Sequence, residues 1–178
     1  GSFSSAFVPV LSELKEKGDE KALQDFLDHI AGALLAVVLL VTALGMLLSP
    51  WIARLFLIFA DENSATVALT ADMLRITFPY LMFISMTALA GSVLNSYRHF
   101  GLPAFTPVLH NLSLIGAMLL LARYFEIEEF SLAWGVFIAG VLQMLLLWPA
   151  MARHAKTPHF KFSLKHEGVK RVAKLMLP

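Results

Sequence analysis

Ile30–Ala53 reads IAGALLAVVLLVTALGMLLSPWIA, 24 residues without one ionisable side chain. At 1.5 Å per residue, a helix of about 20 residues crosses a hydrocarbon core of roughly 30 Å, so this stretch is long enough to span a bilayer. An ionised group at the bilayer centre is costly, and charges therefore mark where a span ends. Working outward between flanking charges, three further stretches qualify: Ile76–Tyr97 (22 residues), His99–Ala122 (24, with His neutral) and Phe130–Ala152 (23). A shorter apolar run, Gly1–Ser12, reads as the end of a further helix or as an interfacial segment.

Composition agrees. Of 178 residues, 58% are hydrophobic and only 15% charged, with a mean hydropathy of +0.72. Soluble domains run near half apolar and a quarter charged, so the surplus needs lipid around it. Fourteen Lys and Arg against thirteen Asp and Glu leave +1, too little for a nucleic-acid partner held by bulk charge. Without Cys there is no disulfide framework, thiolate nucleophile or Cys-built metal site.

These windows predict an all-α, polytopic transmembrane bundle over 1–152, with helices at about 1–16, 22–53, 70–97, 103–123 and 129–152. A basic amphipathic connection over 153–178 leads into a next helix. Placing alternate connections on opposite sides puts eleven Lys and Arg together, most of them in Arg153–Lys174, and leaves Arg54, Arg75 and Arg123 on the other side. The positive-inside rule makes the richer side cytoplasmic, with Gly1 outside and 153–174 inside. Both ends read as cut: there is no initiating Met or leading basic segment, Gly1-Ser2 suits a cloning remnant, and Lys174–Pro178 suits the start of another apolar segment.

The connections carry their own signals. Gly18 breaks the first helical pattern and Asp19 can cap the next, whose Leu23, Phe26, Leu27 and Ile30 recur at i, i+3, i+4 and i+7. Asp61-Glu62-Asn63-Ser64 reads as a turn with cap residues rather than a cation site. Arg98-His99-Phe100-Gly101-Leu102-Pro103 reads as a tight turn between antiparallel helices. Phe160, Phe162, Leu164, Val169, Val172 and Leu175, interleaved with Lys and Arg, suit a helix lying along lipid headgroups, the alternative being a plain basic loop.

Within the windows there is no Asp, Glu, Lys or Arg, hence no proton-relay carboxylate or metal-ligand cluster in the hydrocarbon. Neither G-x-S-x-G nor G-x-x-x-x-G-K occurs. The reading is a non-enzyme with no cofactor and no metal. The uncharged polar residues Asn95, His110, Asn111, Ser113 and Gln143 need partners in lipid; Asn111 and Gln143 either bridge helices or line a watered cavity. Pro79 and Pro107 each remove a backbone donor and bend their helices. Gly32, Gly91 and Gly135, each followed one turn later by a small residue or Asn, allow close helix contact. Trp51, Tyr80, Tyr97, Tyr124 and Trp148 fall near window ends, as an interfacial belt requires.

Several local patterns, in order, resemble the MurJ (MviN) family of lipid II flippases, within the superfamily of multidrug and oligosaccharidyl-lipid exporters. They are the opening Gly1-Ser2-Phe3-Ser4-Ser5-Ala6-Phe7-Val8-Pro9-Val10, then Thr77-Phe78-Pro79-Tyr80, then Gly91 through Leu94-Asn95-Ser96. Pro103-Ala104-Phe105-Thr106-Pro107-Val108-Leu109-His110-Asn111 follows, and finally Leu132-Ala133-Trp134-Gly135 with Gly140-Val141-Leu142-Gln143. The resemblance implies a fragment from the second helix to the start of the seventh, most of one N-terminal lobe. It implies movement of the undecaprenyl-pyrophosphate-linked peptidoglycan precursor across the bacterial inner membrane by alternating access. The expected partners are that lipid, membrane lipids and the remainder of the same chain. The family's cavity arginines fall outside this segment. What carries over is Ser4, Phe7 and Asn111 as cavity-facing positions, with Phe100 and Pro103 at a gating turn; His110 departs from the apolar residue expected there. Pro79 and Pro107 are the hinge candidates. The alternatives are another exporter of drugs or polyprenyl-linked saccharides, the membrane anchor of a longer enzyme, and a purely structural bundle.

Overall fold

The structure is a computed structural model that describes residues 2–58 and 64–177. Its elements are helices α1 (Ser2–Glu16), α2 (Glu20–Leu47), α3 (Ser49–Phe56), α4 (Ser64–Ser96) and α5 (Gly101–Leu120). A 3-10 turn (Ala122–Tyr124) follows, then α6 (Glu129–His154) and α7 (Glu167–Met176). No strand occurs among the described residues. α2, α4, α5 and α6 are each long and apolar enough to cross a membrane.

Local chemistry sets the breaks. Gly18 takes a φ of +71°, which a side chain would resist, and Asp19 Oδ1 then accepts the Ala22 N–H at 3.1 Å to cap α2. The single helix expected over 22–53 is two, α2 and α3. Pro50 has no N–H for the Met46 carbonyl, and the Ser49 hydroxyl donates to that oxygen instead, at 2.9 Å. α4 starts at Ser64, earlier than expected. Arg75 therefore lies inside it, 3.0 Å from Asp72 one turn earlier, and Tyr80 is mid-helix rather than in an interfacial belt. The turn expected at Asp61-Glu62-Asn63 lies outside the described residues. α5 begins at Gly101 and ends at Leu120, so the helix expected to 123 closes in the 3-10 turn. Pro107 leaves the Pro103 carbonyl without its amide, and the Thr106 hydroxyl takes it at 2.8 Å.

The chain divides into two compact units. The first joins Gly1–Val37, Ser85–Thr106 and Met144–Pro178. Its core stacks Phe3, Phe7 and Phe26, with centroids 5.3 and 5.6 Å apart, beside buried Leu11, Leu27, Leu94, Leu147 and Met151. The connection after α6 is not one amphipathic helix. Residues 156–163 run without helix over a Gln24, Asp28, Gly32 stripe on α2, spaced i, i+4, i+8. Asp28 Oδ1 accepts the His159 N–H (2.7 Å) and the Gln24 amide (2.8 Å), Gln24 also donates to the Thr157 carbonyl (3.0 Å), and the Asp28 carbonyl accepts the Lys161 N–H (3.0 Å). At Gly32 an added Cβ would fall 2.0 Å from the Lys161 carbonyl oxygen. Gly32 thus serves this strap rather than a helix pair.

α7 is the helical part of that connection. It buries Val172, seats Gly168 against the Phe26 ring, and ties Arg171 to Glu13 at 2.6 Å. Arg171, helped by Lys17, holds the Glu13 carboxyl below its ordinary value of 4.5. A depressed carboxylate contributes stability above the unfolded value and loses it as pH falls through the folded one. Protection of α7 amides in wild type should exceed that in Glu13→Gln at about pH 6, and the difference should close by about pH 3. Hydrogen exchange on the two proteins checks this; a difference that persists in acid would refute it.

The second unit joins Val38–Ile84 and Pro107–Gln143. Close approach at glycine organises it: Gly45 lies against the Phe78 ring, Gly135 against Ala117 and Leu114, Gly140 against Tyr80 and Phe83. Phe137 meets Phe83 and Trp134 edge-on, at 5.4 and 5.6 Å. Gln143 is buried, and the Tyr80 ring packs on His110 at 5.7 Å.

Candidate transport-path residues

α1 presents Ser4, Val8, Ser12 and Lys15 at i, i+4, i+8 and i+11, one face of a helix. α4 answers with Ser92, Asn95 and Ser96. Ser92 donates its proton to the Ala88 carbonyl (2.7 Å), so Ser4 is the donor in the 2.7 Å bond between the two hydroxyls. Further along, Lys15 Nζ donates to the Ser96 carbonyl at 2.9 Å and lies 4.0 Å from the Tyr97 ring centre. A cavity of about 510 Å³ opens beside this polar seam, lined by Val8, Ser12, Lys15, Glu16, Asn95, Ser96, Arg98 and Phe100. The Ser12 and Asn95 side chains hydrogen-bond to no described residue and remain available to whatever fills the space.

The turn that closes this cavity is strained at a chosen place. His99 N–H bonds the Leu94 carbonyl (2.9 Å) and Arg98 N–H the Asn95 carbonyl (3.0 Å), the paired bonds of a Schellman ending. Glycine usually occupies the left-handed position of that motif; here Arg98 does, at φ +63°, the one non-glycine residue with positive φ among those described. Its guanidinium makes no ion pair with a described residue. Holding a cation here costs of order 1 kcal/mol of backbone strain.

The predicted site residues fall in different places. Ser4 lies on the seam and Phe100, exposed, lines the cavity. Pro103 packs at the start of α5 near Gly91. Pro79 and Pro107 are inside α4 and α5, the second with its orphaned carbonyl satisfied. Phe7 is a correction: it is fully buried between Phe3 and Phe26, so its ring serves the core of the first unit. Asn111 is exposed on α5 with no hydrogen-bond partner among the described residues. α5 as a whole is left open, with 6% of its apolar window buried against 39% for α2, α4 and α6. Sequence reading missed Arg98 as a strained position and missed the Gln24–Asp28–Gly32 seat. The signal for the seat was present as two polar residues and a glycine at helical spacing.

The description "Lipid II flippase MurJ" belongs to a family model that matches residues 1–178. The chain is 37% identical over 185 residues to the "Probable lipid II flippase MurJ" of Haemophilus influenzae, covering 100% of this chain and 36% of that protein. It is 35% identical over 182 residues to the "Lipid II flippase MurJ" of Burkholderia cenocepacia, and 35% over 185 residues to the Vibrio cholerae protein, with 100% of this chain and 35% of each relative covered. The chain spans about a third of the length of these relatives. With every residue inside the match and identities above 30% across it, the chain belongs to the family of MurJ lipid II flippases.

Proposed function

We propose that this chain forms most of the N-terminal lobe of a lipid II flippase, which moves the undecaprenyl-pyrophosphate-linked peptidoglycan precursor across the bacterial inner membrane by alternating access. The family match over residues 1–178 carries the reading. The physical problem is a dianionic headgroup that cannot enter hydrocarbon while its prenyl tail can. A watered path lined by amides, hydroxyls and a few cations lowers that barrier, and the remainder of the same chain supplies the opposite wall. The role of this segment is binding and shape, without catalysis. Gly1 lies on the periplasmic side and 153–174 in the cytoplasm, because eleven of fourteen basic residues then sit inside.

Asn111 is the residue of this segment assigned to the path, being an exposed amide on the least buried span. Asn111→Ala in the full-length protein should slow lipid II flipping in reconstituted vesicles about fivefold, the loss of one amide contact of roughly 1 kcal/mol, with normal expression. An unchanged rate removes Asn111 from the path. If wild-type protein flips another polyprenyl-linked saccharide and leaves lipid II untouched, the substrate assignment fails.

A further inference from the structure

A second cluster lies away from the polar seam, where α2 meets the start of α7. Asp25 and His29 stand at i and i+4 on α2, and His166 is the residue that caps α7. Each offers a ligand atom, and the three lie within 4.8 Å of one another. His166 Nε2 is 2.8 Å from Asp25 Oδ2, His29 Nδ1 is 3.2 Å from Asp25 Oδ1, and the two imidazoles stack with centroids 4.4 Å apart. One carboxylate needs only one imidazole for an ion pair; here two converge on it. All three residues precede or follow the apolar windows, so the absence of ligand clusters inside the hydrocarbon does not bear on them.

We propose that Asp25, His29 and His166 form a divalent transition-metal site, suited to Zn²⁺, that staples α7 to α2. Two imidazoles and a carboxylate are a zinc donor set, and a tetrahedral ion with bonds near 2.0 to 2.1 Å asks its ligand atoms to stand about 3.4 Å apart. The Asp25 oxygens stand slightly closer than that to the two ring nitrogens, at 2.8 and 3.2 Å, and all three ligand atoms lie within 4.8 Å of one another, so small rotations seat the ion, with water as the fourth ligand. His29 Nδ1, the nitrogen 3.2 Å from Asp25 Oδ1, also lies 2.8 Å from the Asp25 carbonyl oxygen; binding through Nδ1 puts the ring proton on Nε2 and gives up that backbone contact. His166 Nδ1 accepts the Gly168 N–H at 3.2 Å, so binding through Nε2 moves the ring proton to Nδ1 and gives up that long bond. A cavity of about 520 Å³ reaches Asp25 and His166 and admits the hydrated ion. Its acidic lining groups, Glu13, Asp25 and Glu167, match its basic ones, Lys17, Lys170 and Arg171, so the net field does not repel a cation.

The experiment uses untagged full-length protein in detergent, stripped of metal and titrated with Zn²⁺ against a chromophoric chelator, then with Co²⁺ read by visible absorption. One Zn²⁺ per chain is expected, with the intense bands of four-coordinate Co²⁺. His29→Ala and His166→Ala should each weaken Zn²⁺ binding at least tenfold, while His159→Ala leaves it unchanged. Asp25→Asn, which keeps the side-chain shape, should also lose at least tenfold, with hydrogen exchange reporting that α7 is still folded. Absence of a stoichiometric Zn²⁺ site, or equal affinity in wild type, His166→Ala and Asp25→Asn, overturns the proposal. None of these readouts requires lipid transport, so the site stands or falls apart from the flippase reading.

Discussion

Asp28→Ala lowers the stability of the first unit by about 3 kcal/mol, the effect of removing the acceptor from a buried, hydrogen-bonded carboxylate. Asp28 is 3% exposed, yet it receives the His159 amide and the Gln24 side chain and stands 3.5 Å from Lys161 Nζ. Alanine leaves the Gln24 amide and the His159 N–H without that acceptor and opens a void beneath the strap. The backbone bond from Lys161 to the Asp28 carbonyl survives the substitution, so the strap loosens without leaving. Asp28→Asn keeps one acceptor oxygen and should cost about half as much. Thermal unfolding of the full-length protein in detergent, with protease nicking across residues 155–166, measures both. A melting temperature and a nicking rate equal to wild type in Asp28→Ala would show that the strap is held by something else.

Gly32→Ala should act on the same strap from the other partner. Two effects compete. Alanine favours a helix over glycine by about 1 kcal/mol, so an open position would gain stability. Here the new Cβ falls 2.0 Å from a backbone carbonyl oxygen that no rotamer can move aside. Displacing that backbone, and the hydrogen bond Lys161 makes with Asp28, costs about 3 kcal/mol and outweighs the gain. Gly45→Ala offers the comparison: its Cβ would meet the edge of the Phe78 ring, a side chain that can turn. The expected order of melting temperatures is wild type, Gly45→Ala, then Gly32→Ala. Gly32→Ala melting at or above wild type would refute the close crossing.

The spans were legible because lipid punishes charge so heavily that all fourteen Lys and Arg and all thirteen Asp and Glu fall outside the four apolar windows. What charge does not mark was misread. Ser49-Pro50 divides a window that is uniformly apolar, because a missing backbone donor is invisible to a count of side-chain charge. Tyr80 looked interfacial only while α4 was thought to start near 70. Phe7 was assigned to a cavity on resemblance, whereas its burial depends on rings at Phe3 and Phe26 whose proximity is a tertiary fact. The strap was hidden for a similar reason. Residues 156–163 have no periodicity of their own, and their placement follows from the seat that Gln24, Asp28 and Gly32 make on another helix.

Two prolines, one at the start of α3 and one inside α5, share a device with a mechanical meaning. At Ser49-Pro50 and Thr106-Pro107 the preceding hydroxyl caps the carbonyl that proline orphans. An amide is rigidly fixed to the chain, but a hydroxyl rides on a rotatable bond and can follow its acceptor as the local angle changes. Such a joint flexes without exposing a bare carbonyl to lipid, where no water would replace the lost bond. At these two points the rods can work like sprung elbows, bending under load and returning with their polar bookkeeping intact.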